Sequence, residues 1–131
     1  MKIKELRELD VWVAENVMGF TIIKTPSLAT EIYVNSEVFE RLMMPPQPLK
    51  HYTINPTYAM EVLKKCAEKM KRESDGFYDL VCIRPKTTED GWTVFKQSQE
   101  NWGHLYEEAD TIELAICLFA KKLFSSNEHK P

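Results

Sequence analysis

The chain has 131 residues, enough for one domain that buries roughly 68% of the surface its unfolded form exposes. Hydrophobic residues at 44% and charged residues at 28% match a globular composition and exclude wholesale disorder. A net charge of −3 lacks the basic excess of a protein that wraps duplex nucleic acid, so no polymeric nucleic acid is expected as a partner.

Along the chain, Ile3, Leu6, Leu9, Val13 and Val17 recur at steps of three and four, which predicts a helix over Ile3–Met18. Its polar face carries Lys4, Arg7, Glu8 and Glu15, and Gly19 stands where a left-handed cap would end it. A short β-branched run, Gly19–Lys24, is broken by Pro26. Ile32 and Val34 then alternate like a strand, and Val38, Phe39, Leu42 and Met43 suit a helical turn or two. Pro45, Pro46 and Pro48 remove three backbone donors, so the stretch from Pro45 to Tyr52 reads as an extended connector.

Asn55-Pro56 is a strong helix start, Asn as the cap and Pro at the first helical position. The helix runs to about Arg72 with Ala59, Val62, Leu63, Cys66 and Met70 on one face. Asp75-Gly76 turns the chain into three antiparallel strands: Phe77–Pro85, Trp92–Ser98 and Trp102–Tyr106. Asp90-Gly91 supplies the first hairpin turn. Asp110 caps a last helix, Thr111–Phe124, with Glu113 completing a capping box. That helix is apolar on two sides and expects neighbours on both. The order reads as one α+β domain over residues 1–124, with a variable middle segment at 27–50 and a polar tail at 125–131.

No apolar run reaches the roughly 18 residues of a membrane span; the best, Ile112–Phe119, contains Glu113. Residues Met1–Arg7 alternate charges and do not resemble a secretory signal. The three cysteines, Cys66, Cys82 and Cys117, show no CxxC spacing and read as core residues of a cytoplasmic protein away from membranes.

Reactive constellations are sparse. His51, His104 and His129 form no HxxxH or HExxH pair, so no metal is expected. There is no GxSxG elbow, and four glycines at 19, 76, 91 and 103 cannot build a phosphate loop; neither cofactor nor catalysis is expected. The acids Glu107, Glu108, Asp110 and Glu113 suit the start of the last helix. Lys64, Lys65, Lys69, Lys71 and Arg72 suit the end of the middle one. What remains is an aromatic and basic set on the sheet. Trp92, Trp102, His104 and Tyr106 lie on or beside strands, with Arg84 and Lys86 ahead of the hairpin and Lys96 after it. Aromatic faces stack on bases and cations pair with phosphate, a combination fit for a small nucleotide-like ligand. The competing reading packs the tryptophans in the core and leaves the cations solvated.

Two stretches, LDVWVAENVMGF (Leu9–Phe20) and ADTIELAICLFAKKLF (Ala109–Phe124), together resemble the opening and closing elements of the phage ABA sandwich domain family. The run HYTINPTYAMEVLKK stands where that family carries a Tyr-Ser-Thr-Asp-like helix start, with Asn55 in place of the acid, and the DGWTV hairpin with Trp92 also fits. Residues Thr21–Lys50 depart from the pattern. The resemblance implies a three-layer α/β/α sandwich with a small, mainly antiparallel sheet and flanking helices, encoded by a phage or prophage.

On that basis the first expectation is a non-enzymatic, homo-oligomeric sponge that sequesters a nucleotide-derived bacterial immune signal, an analogy that rests on genomic habit. Trp92 or Trp102 would stack on the base, Arg84 and Lys86 would hold phosphate, and His104 or Tyr52 would bond ribose hydroxyls. The second expectation is an adaptor or inhibitor that docks on a host or phage enzyme through Ile32–Met44, whose apolar residues exceed what a surface insert needs.

Overall fold

The computed structural model describes residues 2–23, 32–73, 80–87, 89–97 and 102–125, with the backbone alone described at residues 72, 73, 80 and 102–104. The turn expected at Asp75-Gly76, the strand start at Phe77 and the tail from residue 126 lie outside them. The described residues form an α+β protein of four helices and two three-stranded antiparallel sheets.

Helix α1 (Ile3–Asn16) buries Leu9, Val13 and Ala14 and, on the same stripe, Asp10. Phe20 N–H donates to the Ala14 carbonyl at 2.8 Å, and Gly19 takes φ +77° to allow that return. The middle segment is more ordered in pattern than its sequence indicates. Strands β1 (Thr21–Ile23), β2 (Tyr33–Asn35) and β3 (Gln47–Pro48) form one sheet in that order. The proline-containing connector therefore contains a strand, a correction to the sequence reading. Pro48 is tolerated because β3 is an edge, where a missing donor costs no ladder bond, and Leu49 N–H supplies one to the Ile32 carbonyl at 2.7 Å. Between β2 and β3, helix α2 (Glu37–Arg41) starts on Ser36, whose hydroxyl accepts from Phe39 N–H at 3.1 Å.

Helix α3 (Pro56–Glu73) begins as expected: the Asn55 side-chain oxygen accepts from Thr57 N–H at 2.9 Å and Tyr58 N–H at 3.3 Å. Strands β4 (Leu80–Pro85), β5 (Trp92–Gln97) and β6 (Trp102–Ala109) form the second sheet. Strand β6 runs three residues past the expected Tyr106, because Glu107, Glu108 and Ala109 continue to pair with Val94, Thr93 and Trp92. Helix α4 (Ile112–Ser125) is capped by Thr111 rather than Asp110; the Thr111 hydroxyl accepts from Leu114 N–H at 3.2 Å.

Helix α4 is the centre of the core. Ala115, Ile116, Cys117, Phe119, Ala120 and Leu123 are all buried, and the helix packs on α1, α3, β5 and β6. Its apolar sides have the neighbours they require. Burial of a side chain such as Phe119 or Ile116 contributes about 1.5–3 kcal/mol. Helices α3 and α4 pack side by side on one face of the β4–β6 sheet, while α1 lies against α4 and β1. Register assigns Val81, Ile83, Trp92, Val94 and Ala109 to the helix-facing side and Cys82, Arg84, Thr93, Phe95 and Tyr106 to the other.

Candidate functional site

Among the described residues, those singled out on the β4–β6 sheet do not converge. Trp92 faces the helices, half-buried and packed on the core. Arg84 pairs with Thr93, one position out of phase, and so lies on the opposite face, its guanidinium 5.2 Å from the Phe95 ring centroid. Lys86 is held in place: its ammonium lies 3.6 Å from Glu108 and 3.9 Å from Glu89, and its side chain is only 17% exposed. Tyr52 is 1% exposed and meets Tyr58 edge-on at 6.4 Å, so it is a core residue and no hydroxyl partner for a ribose. The side chains of Trp102 and His104 lie outside the described residues. Alternation of strand faces is what separates Arg84 from Trp92.

The arrangement that does converge lies between the β1–β3 sheet and the start of α3. It is built on a buried carboxylate. Asp10 is 1% exposed; its Oδ1 accepts from Thr53 N–H at 2.9 Å and its Oδ2 from Arg7 Nη1 at 3.2 Å. The Arg7 guanidinium also donates to the Leu49 carbonyl at 3.0 Å and the Lys50 carbonyl at 3.3 Å. It lies 3.3 Å from His51 Nδ1. One planar fork thus ties α1 to the segment that leaves β3 and presents Lys50 and His51. A buried carboxylate costs energy unless it is paired and fully bonded, and here it is.

Beside this clamp opens a cleft of about 690 Å³. Phe20 and Phe39 form one wall, stacked with ring centroids 5.6 Å apart and planes 25° apart. Tyr58 forms another, with Lys50 Nζ 4.8 Å from its ring centroid, and Lys50 and His51 also line the cleft. Lys50 also lies 3.1 Å from Glu61 Oε2, both side chains about two-fifths exposed. The size is that of a small-molecule pocket, and the lining combines flat apolar faces with the Lys50 ammonium and the His51 imidazole.

In the sequence Arg7 reads as part of the solvent face of α1, His51 only as a possible metal ligand and Phe39 only as part of a docking segment, while Asp10, Phe20 and Lys50 do not stand out as site residues. Asp10 carried a readable signal, since it sits four residues after Leu6 and three before Val13 on the apolar stripe. The pairing of Arg7 with carbonyls some 42 residues away carried none.

Among the described residues no group of His, Cys, Asp or Glu could hold a metal ion, and no helix is long and apolar enough to cross a membrane. Cys66 and Cys117 are fully buried, and burial pushes the Cys66 thiol up to about 12 and raises that of Cys117 as well. Cys82 is half-buried, its thiol 3.4 Å from the Gln97 amide oxygen. Comparison with protein-family models, with curated proteins and with solved structures finds no match.

Proposed function

We propose that this protein is a non-catalytic binding protein that captures a small, nucleotide-derived anion in the cleft between the β1–β3 sheet and α3. The observation that carries the reading is the pairing of Lys50 and His51 with the aromatic walls of Phe20, Phe39 and Tyr58 in one cleft. A base stacks on such walls, and a phosphate takes the cation. The Lys50–Glu61 pair is solvent-screened and worth at most about 1 kcal/mol, so Lys50 can exchange Glu61 for a phosphate at small cost. The ligand class is the one expected from the sequence; the residues that hold it are different ones. The role of sponge for a bacterial immune signal, encoded by a phage, goes with this reading and rests on the resemblance of Leu9–Phe20 and Ala109–Phe124 alone.

Calorimetric titration with cyclic dinucleotides and ADP-ribose derivatives tests the proposal. Binding of at least one is expected, weakened about tenfold or more by Lys50→Glu, with the ligand recovered intact by mass spectrometry after denaturation. No heat with any of them at high micromolar concentration overturns the reading, as does binding indifferent to Lys50→Glu. Recovery of a cleaved ligand overturns the non-catalytic half of it.

A further inference from the structure

The imidazole of His51 meets two charged groups of α1, and they are not equivalent. Arg7 Nη1 lies 3.3 Å from its Nδ1, within hydrogen-bond reach, while Asp10 Oδ2 lies 3.9 Å from the same nitrogen, beyond it. A guanidinium has donors and no acceptor. The contact is therefore a bond only when Nδ1 offers a lone pair, which puts the proton of a neutral ring on Nε2. The opposite tautomer would set one N–H against another. The guanidinium is held at the ring by the Leu49 carbonyl at 3.0 Å, the Lys50 carbonyl at 3.3 Å and Asp10 at 3.2 Å. Nε2 has no partner among the described residues, and the His51 side chain is 56% exposed where it lines the cleft.

The charges beside the cleft cancel in pairs. Asp10 is met by Arg7, and Lys50 lies 3.1 Å from Glu61. With His51 neutral, Lys50 bears the one positive charge among the described lining residues, which include Tyr58 from α3. A doubly charged group fits such a site poorly. Its attraction to one ammonium is twice that of a singly charged group, whereas its desolvation cost rises with the square of the charge. A phosphodiester carries one charge, and a terminal phosphomonoester about −1.5 to −2 at pH 7.

We propose that His51 serves the cleft as a neutral Nε2–H donor, set in that tautomer by Arg7, and that with Lys50 it selects a phosphodiester over a phosphomonoester. The imidazole N–H bonds one phosphate oxygen and the ammonium another. Arg7 is a positioning residue, since it acts on the ligand only through the ring. The selection rests on the ligand reading given above, and the tautomer on the geometry of Arg7 and His51 alone.

Nitrogen-15 NMR of the ligand-free full chain at pH 8 tests the tautomer. The wild-type ring is expected with its proton on Nε2. Arg7→Lys, which keeps a cation for Asp10 and loses the planar fork, is expected to give a mixture of tautomers. A wild-type ring protonated on Nδ1, or a tautomer unmoved by Arg7→Lys, overturns the positioning role. Calorimetry at pH 8 then compares a cyclic dinucleotide with the linear dinucleotide of the same bases that carries a 5′-phosphate. The cyclic form is expected to bind about tenfold or more tightly. That gap should narrow as pH falls through about 6, where the terminal phosphate drops to one charge and histidine rings gain one. Equal binding, or a gap that pH leaves unchanged, overturns the selection by charge. His51→Gln, whose amide N–H replaces the Nε2–H donor, should keep the cyclic form within about threefold of wild type, whereas His51→Ala weakens it about tenfold. Equal losses in the two variants overturn the neutral-donor role. Binding of neither dinucleotide overturns the ligand reading and the selection with it, and the NMR result still decides the tautomer.

Discussion

Cys66 sits at 0% exposure on the buried face of α3, and burial pushes its thiol from an ordinary 9.0 to about 12. The folded state therefore holds this proton more tightly than the unfolded one does. The stability linked to it is fully present below pH 9.0 and is lost as pH rises through about 12. Tyr52 and Cys117, raised by burial as well, act in the same direction. Urea midpoints should hold level to about pH 9 and then fall, with Cys66 contributing up to roughly 1.4 kcal/mol per pH unit. Cys66→Ala should flatten that fall, although it lowers stability at neutral pH; an equal alkaline slope in the variant would show that the thiol is not its source. The inert character of Cys66 was legible from aliphatic neighbours at helical spacing. The role of Asp10 was only half legible. An acid on an apolar stripe announces a buried partner, but its partners, Arg7 and the Thr53 amide, are set by tertiary packing that spacing does not encode.

Elements were legible where local chemistry decides them and illegible where pairing does. Asn55-Pro56 names the start of α3 because capping is a contact within four residues. Strand β3 escaped notice because three prolines argue against a strand, and only its place at an edge, beside β2, makes Pro48 harmless. The candidate site follows the same rule: the aromatic and basic residues of the large sheet stand out in the sequence, but register puts Arg84 and Trp92 on opposite faces. The cleft's Phe20, Phe39, Lys50 and Tyr58 are joined only by tertiary packing. The β4–β5 turn is the local feature with the sharpest consequence. Gly91 takes φ +133°, its carbonyl accepts from Lys86 N–H at 3.0 Å, and a Cβ there would stand 2.7 Å from the Ala109 carbonyl oxygen. That oxygen belongs to the neighbouring strand and cannot give way as a flexible side chain would. Gly91→Ala should cost about 2 kcal/mol or more, from both the backbone conformation and the clash, read as a lowered denaturation midpoint. An unchanged midpoint would mean that the hairpin rearranges freely and that Gly91 does not set its geometry.

At the scale of the molecule the two sheets are unequal partners. Strands β4, β5 and β6 have six, six and eight residues, and α3 and α4 cover one face of their sheet. Strands β1, β2 and β3 have three, three and two, and the Arg7 fork ties the chain just after β3 to α1. Local opening follows the number of buried contacts, so the small sheet should open before the large one. Native-state hydrogen exchange separates them. The Leu49 amide, bonded to the Ile32 carbonyl, reports on the small sheet, and the Val94 amide on central strand β5 reports on the large one. Arg7→Ala removes the fork and leaves Asp10 buried with the Thr53 amide at 2.9 Å and His51 Nδ1 at 3.9 Å, at a cost of about 3 kcal/mol. Exchange at Leu49 should then quicken about tenfold or more, with a smaller change at Val94. Equal acceleration at both amides would show that the sheets open together, and that the clamp stabilises the whole domain and not the cleft side of it. Unequal acceleration would place the cleft beside Lys50 on the less stable half, where the proposed binding of an anion at Lys50 would slow exchange at Leu49 before it slowed exchange at Val94.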